Sequence, residues 1–183
     1  MIKRIVTLVI RKTKNKDFVF DEILTNSSIV GLILDKALSL FRGLRFLFHA
    51  GKFNMVYLGK NVKIRFKKNI QIGDNVVVGD YVSLVALGKS PLSIGSNVSI
   101  GAFSQLVIST SYNNIGEFIK IGDHVGFGEF AYLGGAGGLE IGENTVIGQY
   151  FSAHPENHNF RDSDTLIRFQ GVNRQGITIG SNC

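Results

Sequence analysis

The sequence contains few residues that cross-link a chain, restrict its backbone or add a large ring to its core. It contains a single cysteine, Cys183, two prolines and no tryptophan. One cysteine excludes an internal disulfide framework and fits a reducing compartment, so packing must hold the fold together. Two prolines beside 22 glycines in 183 residues indicate many tight turns, and exclude both a collagen-like chain and a proline-rich linker.

Charged residues are also scarce, at 19% against 44% hydrophobic residues, which argues against disorder and allows a sizeable core. The net charge of +6 is unevenly placed. Ten basic residues precede residue 55: Lys3, Arg4, Arg11, Lys12, Lys14, Lys16, Lys36, Arg42, Arg45 and Lys52. Such an end favours an anionic partner, either a membrane surface or nucleic acid, although RKTKNK is equally typical of a solvated face. The nearby aromatics have the spacing of a helix face, not of a stacking platform, so we expect no nucleic acid.

No long uninterrupted apolar run is present near the amino terminus. MIKR is followed by a run of only six residues, IVTLVI, five of them apolar, and by no small-residue cleavage site, so a secretory signal is not predicted. Residues 29–48 are long enough to cross a bilayer, but their four charges make spanning costly: Asp35, Lys36, Arg42 and Arg45.

Instead, this segment predicts an amphipathic helix over residues 27–48. Its apolar residues follow the i, i+3, i+4 rule: Val30, Ile33, Leu34, Ala37, Leu38, Phe41, Leu44 and Phe48. We expect Asn26 or Ser27 to cap its start and Gly51 its end. The helix is expected either to lie on the cytoplasmic face of a membrane or to cover the open end of the fold that follows.

From residue 55 onward the chain repeats with a period of six. LGKN, IGDN, IGSN, IGDH, IGEN and IGSN begin at Leu58, Ile72, Ile94, Ile121, Ile141 and Ile179. Six residues later come Ile64, Val78, Ile100, Phe127 and Ile147, and six further on Leu84, Leu106, Leu133 and Ala153. A hexapeptide period is typical of a parallel β-helix, whose repeating aliphatic residues point inward. An ordinary β-sandwich would not keep this phase.

The steps between first-face isoleucines predict where the chain departs from the repeat. From Ile72 to Ile179 they are 22, 27, 20 and 38 residues, each equal to 18 plus an excess of 4, 9, 2 or 20. Eighteen residues make one three-sided coil, and every excess follows the third face. All insertions therefore leave from one corner. The sequence thus predicts an all-β solenoid over 55–183, preceded by a basic, partly helical region over 1–54.

The largest insertion, about 154–176, is predicted to be a loop projecting from this corner. It begins with FSAHPENHNFRD, a polar segment holding His154 and His158. Loops on rigid scaffolds carry function disproportionately often. Neutral imidazole accepts a proton near pH 7, so either histidine is a candidate general base.

The hexapeptide period together with NHNF, FQG and GITIGSNC resembles the bacterial hexapeptide-repeat acyltransferases, notably surface-polysaccharide O-acetyltransferases and the maltose and galactoside acetyltransferases. The resemblance implies a left-handed β-helix, a homotrimer with sites between subunits, and a cytoplasmic enzyme that transfers an acyl group, as a rule acetyl, from acyl-CoA to a sugar hydroxyl. The acceptor would belong to a surface polysaccharide or its lipid-linked precursor. A loop histidine would take the proton of the acceptor hydroxyl.

The resemblance favours His158 as that base, because it lies eleven residues after Ile147, the offset of the family's catalytic histidine. His154 lies four residues earlier and is the alternative. Asn157, Asn159 and Asp162 either orient the ring, bind the acceptor or form turns. In the family the chain continues with further coils that hold most of the CoA, so most donor-binding residues are expected beyond Cys183. By this resemblance the chain is expected to be a fragment or a truncated gene product that is inactive or only weakly active and binds acetyl-CoA weakly or not at all, and adding the further coils is expected to restore binding.

Two other functions remain open. A zinc enzyme resembling the γ-class carbonic anhydrases would use His124, His154 and His158. His124, however, occupies the position held by Asn61, Asn75, Asn97, Asn144 and Asn182 in other repeats, so a corner residue is the simpler interpretation and no metal is expected. The second alternative is a trimeric solenoid scaffold without catalysis.

Overall fold

The computed structural model describes residues 2–13, 16–46, 48–49 and 52–183. Within these residues there are two α-helices, α1 (Ile2–Thr13) and α2 (Asn26–Gly43), and three short 3-10 helices at Leu44–Phe46, Lys67–Asn69 and Ile167–Phe169. Two strands, β1 (Phe48–His49) and β2 (Lys52–Phe53), form a small antiparallel pair after α2. None of the described helices is long and apolar enough to cross a bilayer.

The remaining strands are very short and follow one another around three sides. In chain order they are β3 (Val56–Leu58), β4 (Lys63–Arg65), β5 (Ile70–Ile72), β6 (Val76–Val78), β7 (Ser83–Val85), β8 (Leu92–Ile94), β9 (Ser99–Ile100), β10 (Gln105–Val107), β11 (Ile119–Ile121), β12 (Gly126–Phe127), β13 (Tyr132–Gly134), β14 (Leu139–Ile141), β15 (Val146–Ile147), β16 (Ser152–Ala153), β17 (Glu156–His158), β18 (Val172–Arg174) and β19 (Ile177–Ile179).

These strands build three parallel sheets of five strands each, as in a β-solenoid. The first sheet has the order β19-β14-β11-β8-β5, the second β15-β12-β9-β6-β3, and the third β16-β13-β10-β7-β4. In the first sheet Ile72 pairs with Ile94, which pairs with Ile121, as the spacings predict. Because each strand bonds to strands one coil away, inward side chains stack in columns, and the core is a row of aliphatic residues buried between the sheets.

All four insertions leave between the third and first sheets, as predicted. Each lies between a strand of the third sheet and the next strand of the first: β7 to β8, β10 to β11, β13 to β14 and β16 to β19. The prediction was wrong for the first coil, however. Leu58 pairs with Val78 on the second sheet, and Ile64 pairs with Leu84 on the third, one face later than their motifs suggest.

Left-handed backbone at two corners explains this error. Asn75, Asn97, His124, Asn144 and Asn182 have φ between 55° and 61° at the corner between the first and second sheets. Asn61, at φ 54°, lies at the next corner. Its counterparts one coil apart are Tyr81, Phe103, Phe130 and Tyr150, whose rings stack at 5.0–5.1 Å. This aromatic column, whose ring stacking stabilises an unfavourable backbone, was not predicted from the sequence.

Helix α2 packs on β3, the outermost strand of the second sheet. A Cβ atom on Gly43 would overlap the Val56 carbonyl, so the helix must end in glycine to approach this closely. The Arg42 Nε atom donates to the Leu58 carbonyl at 2.8 Å, which satisfies an acceptor at the sheet edge. The helix therefore covers the start of the stack.

The predicted helix boundaries need correction. The capping residue is Thr25, whose Oγ1 accepts from the Ser28 backbone N–H at 3.1 Å, and not Asn26 or Ser27. The helix ends at Gly43 instead of extending to residue 48, and Gly51 lies outside the described residues. Helix α1 was not predicted, because its twelve residues read only as a short apolar run between basic clusters.

Candidate functional site

The predicted loop at 154–176 contains a β-hairpin, so it is more ordered than a plain loop. Strands β17 and β18 pair antiparallel, with Glu156 opposite Arg174, Asn157 opposite Asn173 and His158 opposite Val172. The chain leaves the third sheet at β16 and returns to the first at β19. The hairpin therefore stands on the corner where all the insertions emerge.

Arg174 fastens the base of this hairpin to the insertion between β10 and β11. Its Nε atom donates to Glu156 Oε2 at 2.6 Å, and its Nη1 and Nη2 atoms donate to the carbonyls of Ile115 and Asn114 at 2.9 and 3.0 Å. Only 18% of the Arg174 side chain is exposed, so this pairing is partly screened from water. One guanidinium thus joins two insertions that leave the solenoid two coils apart.

Arg174→Ala is expected to loosen the hairpin while leaving the solenoid folded. Hydrogen bonds involving a charged group contribute about 1.5–3 kcal/mol each, so we expect amide exchange at residues 156–158 and 172–174 to rise at least about tenfold. Hydrogen exchange measured by mass spectrometry tests this. Arg65→Ala, which removes an exposed arginine from β4, is the control. Unchanged exchange at the hairpin would show that Arg174 is not its anchor.

The hairpin tip is held together by Gln170. Its Nε2 atom donates to the carbonyls of Asp162 and Thr165, both at 2.7 Å, and its Oε1 accepts from the Asp162 N–H at 3.2 Å. The Asn159 Nδ2 atom donates to the Gln170 carbonyl at 3.0 Å. From the sequence, Gln170 was only part of the FQG motif. Hydrogen bonds within a single loop do not repeat along the chain, so no sequence pattern indicates them.

Asp162 also acts within the tip. Its Oδ1 accepts from the Asp164 N–H at 2.9 Å, and a hydrogen bond from the Thr165 hydroxyl is the main reason that the pKa of the exposed Asp162 carboxyl lies below its usual value. Asn159 and Asp162 thus make hydrogen bonds within the hairpin tip, and both also line the cleft that His158 borders.

His158 is exposed and borders an open cleft of about 900 Å³ inside the hairpin region. Phe160, Phe169 and Asn173 also line it, so the cleft offers apolar faces beside polar groups. Asn157 lines both this cleft and a smaller adjoining cavity of about 440 Å³. An imidazole that reaches such a cleft has access to an incoming hydroxyl.

His154 has a different setting, against the third sheet. Its Nε2 atom lies 2.6 Å from Ser152 Oγ, and its ring stacks on Tyr132 with centroids 4.8 Å apart. It borders a cavity of about 110 Å³ together with Tyr132 and Glu156. Burial, and secondarily the negative charge of Glu156, raises the pKa of the Tyr132 hydroxyl, which stays protonated at neutral pH. His154 is exposed as well and also lines the cavity of about 440 Å³, so the two histidines differ in that the His154 ring is stacked and hydrogen-bonded whereas His158 borders the larger cleft.

The third histidine of the zinc alternative lies elsewhere. His124 has φ 58° and takes the corner position shared with Asn97 and Asn144, between the first and second sheets. His154 and His158 instead follow the third sheet. Within the described residues, no group of three His, Cys, Asp or Glu side chains is placed to hold a metal ion.

Comparison with known proteins adds no relative to this description: no family model, no curated protein and no solved structure matches the chain.

Proposed function

We propose that this chain is an acyl-CoA-dependent O-acyltransferase on a left-handed hexapeptide β-helix, with His158 as general base. The observation that carries the proposal is the position of His158, exposed at an open cleft of about 900 Å³ on an anchored hairpin. The NHNF and FQG motifs and the period of six support it by resemblance. The acyl group is acetyl and the acceptor a hydroxyl of a surface-polysaccharide sugar or its lipid-linked precursor.

The reaction requires two proton transfers, one from the acceptor hydroxyl to the base and one from the base to the departing CoA. A ring nitrogen of His158 accepts the proton of the acceptor hydroxyl as its oxygen attacks the thioester carbonyl carbon. The C–O bond forms, the C–S bond breaks, and the departing CoA sulfur takes the proton from the imidazolium. Without a positioned base a sugar hydroxyl is a poor nucleophile. By the same resemblance three copies assemble, and His158 faces a neighbouring subunit.

A donor–acceptor screen tests the proposal. At acetyl-CoA concentrations high enough to offset the weak donor binding expected of these residues, we expect the purified protein to form free CoA and an acetylated sugar, detected by mass spectrometry as the gain of one acetyl group. Libraries of free sugars, nucleotide sugars and lipid-linked sugars separate the acceptor classes. Transfer to none of them, with the trimer intact, would favour a scaffold. Zinc found in the purified protein, with activity lost on its removal, would favour a metalloenzyme.

A further inference from the structure

The N-terminal helices expose an apolar surface that no described residue covers. Helix α2 turns its predicted apolar stripe away from the solenoid: Val30, Ile33, Leu34, Leu38, Phe41 and Leu44 are all exposed, and Phe41 is 70% exposed. Only Ile29 and Gly43 of α2 are buried. An amphipathic helix normally buries its apolar stripe in its own protein, so this orientation points to a separate apolar partner.

The side of α2 that faces the solenoid is the more polar one. Asp35, Lys36, Ser39 and Arg42 line the groove between this helix and the second sheet, where Lys36 lies 3.5 Å from the centre of the Tyr57 ring. The helix thus covers the end of the stack largely with polar and cationic side chains, beside Leu32, and keeps the apolar stripe on its opposite side exposed. Covering the stack and binding a second surface are therefore compatible roles.

Helix α1 adds a second exposed apolar face. Val6, Thr7 and Ile10 are half-buried, whereas Ile2, Ile5, Leu8 and Val9 are exposed, Leu8 at 59%. At about 100° per residue the exposed set forms one continuous arc. The basic side chains of Arg4 and Arg11 border this arc beside Leu8, and Lys12 lies within it near the end of the helix.

The distribution of charge identifies the partner. Residues 1–54 hold ten basic and four acidic residues, and residues 55–183 hold ten of each sign, so the whole net charge of +6 belongs to the N-terminal region. A second copy placed against this region would bring like charges together. An anionic lipid surface instead offers both a negative layer for the basic residues and an apolar layer for the stripe.

We infer that α1 and the outer stripe of α2 form an in-plane anchor for a membrane surface rich in anionic phospholipid. The apolar side chains enter the boundary between headgroups and acyl chains, and Arg4, Arg11 and Lys12 contact the headgroups. Neither helix spans the bilayer. The inference rests on the helices alone and holds whether or not the cleft at His158 transfers acyl groups.

Vesicle flotation with the full chain tests the anchor. We expect binding to vesicles of phosphatidylglycerol and phosphatidylcholine, little binding to phosphatidylcholine alone, and weaker binding at high salt. Leu34→Glu with Phe41→Glu is expected to weaken binding at least about tenfold. Arg4→Gln with Lys12→Gln should weaken it roughly 25-fold, at about fivefold per charge. Tyr112→Glu, which alters an exposed residue of a solenoid insertion, is the matched control and should bind like the parent.

Three results would overturn the inference. One is the absence of binding to anionic vesicles by the unmodified chain. Another is binding that the Leu34→Glu and Phe41→Glu pair leaves unchanged. The third is a smaller oligomer for that pair in sedimentation velocity, because the stripe would then be a contact between protein subunits.

Discussion

His158→Ala is expected to lower the rate of acyl transfer by about 10²–10⁴-fold, the usual effect of losing a general base, whereas His154→Ala retains most of the rate. The two histidines are four residues apart but differ in surroundings. His158 borders the open cleft, while His154 stacks on Tyr132 and hydrogen-bonds Ser152. Removing His154 therefore alters packing against the third sheet, and removing His158 takes away the imidazole that a hydroxyl in the cleft can reach.

Steady-state rates at saturating donor and acceptor, measured on the variants and their parent, test this difference. A general base affects kcat, so KM for the acceptor should change little with His158→Ala. Hydrogen exchange at β17 and β18 serves as the structural control, because a disordered hairpin would also abolish activity. If the His154→Ala protein were inactive and the His158→Ala protein active, the assignment would be reversed. The reaction would then take place in the smaller cavity beside Tyr132.

The period of the solenoid could be predicted because stacking imposes it on every coil. A residue such as Ile94 must lie over Ile72 and under Ile121, so the spacings alone predict their register, which the strand pairing confirms. The first coil was placed one face too early because LGKN at Leu58 resembles IGDN at Ile72. The glycine and the left-handed Asn occur at two corners, so the motif does not distinguish which corner it occupies.

The candidate site was predicted less completely, because its contacts are local to the hairpin and have no repeat. Twenty extra residues without the period of six predicted an insertion correctly, and the histidines marked it as chemically distinct. Strands β17 and β18 have three residues each and pair only with each other, so they leave no repeating pattern in the sequence. The hairpin was therefore not predicted. The anchoring role of Arg174 depends on the insertion between β10 and β11. Asn114 in that insertion lies sixty residues before Arg174 along the chain, and nothing in the sequence spacing connects the two.

The orientation of α2 has a similar explanation. The i, i+3, i+4 pattern shows which side of the helix is apolar but not what covers that side. The helix contacts the solenoid through Gly43 and Arg42. Gly43 allows the close approach to β3, and Arg42 donates to a carbonyl at the sheet edge. The apolar stripe could therefore be predicted, whereas its exposure could not.

Gly79→Ala is expected to destabilise the solenoid by about 2–3 kcal/mol, whereas Gly148→Ala leaves its stability unchanged or slightly raised. Both glycines directly follow an inward aliphatic residue of the second sheet, Val78 and Ile147, and neither has left-handed backbone. The two glycines differ in how close the backbone of another coil lies to them. A Cβ on Gly79 would come within 2.6 Å of the Ala102 nitrogen and 2.8 Å of its Cα, while a Cβ on Gly148 meets nothing within 4 Å.

Because the obstructing atoms at Gly79 are backbone, the coils can accept a methyl group only by separating. Separation would weaken the hydrogen bond from the Gly79 N–H to the Ile100 carbonyl, 2.8 Å in the parent, and those of neighbouring strands. Thermal unfolding followed by circular dichroism tests the pair. The melting temperature should fall by roughly 5–10 °C for Gly79→Ala and stay within about 2 °C for Gly148→Ala. Equal losses in melting temperature for the two variants would show that each glycine is needed for its own backbone conformation. The close approach between coils would then not be the reason for glycine at these positions.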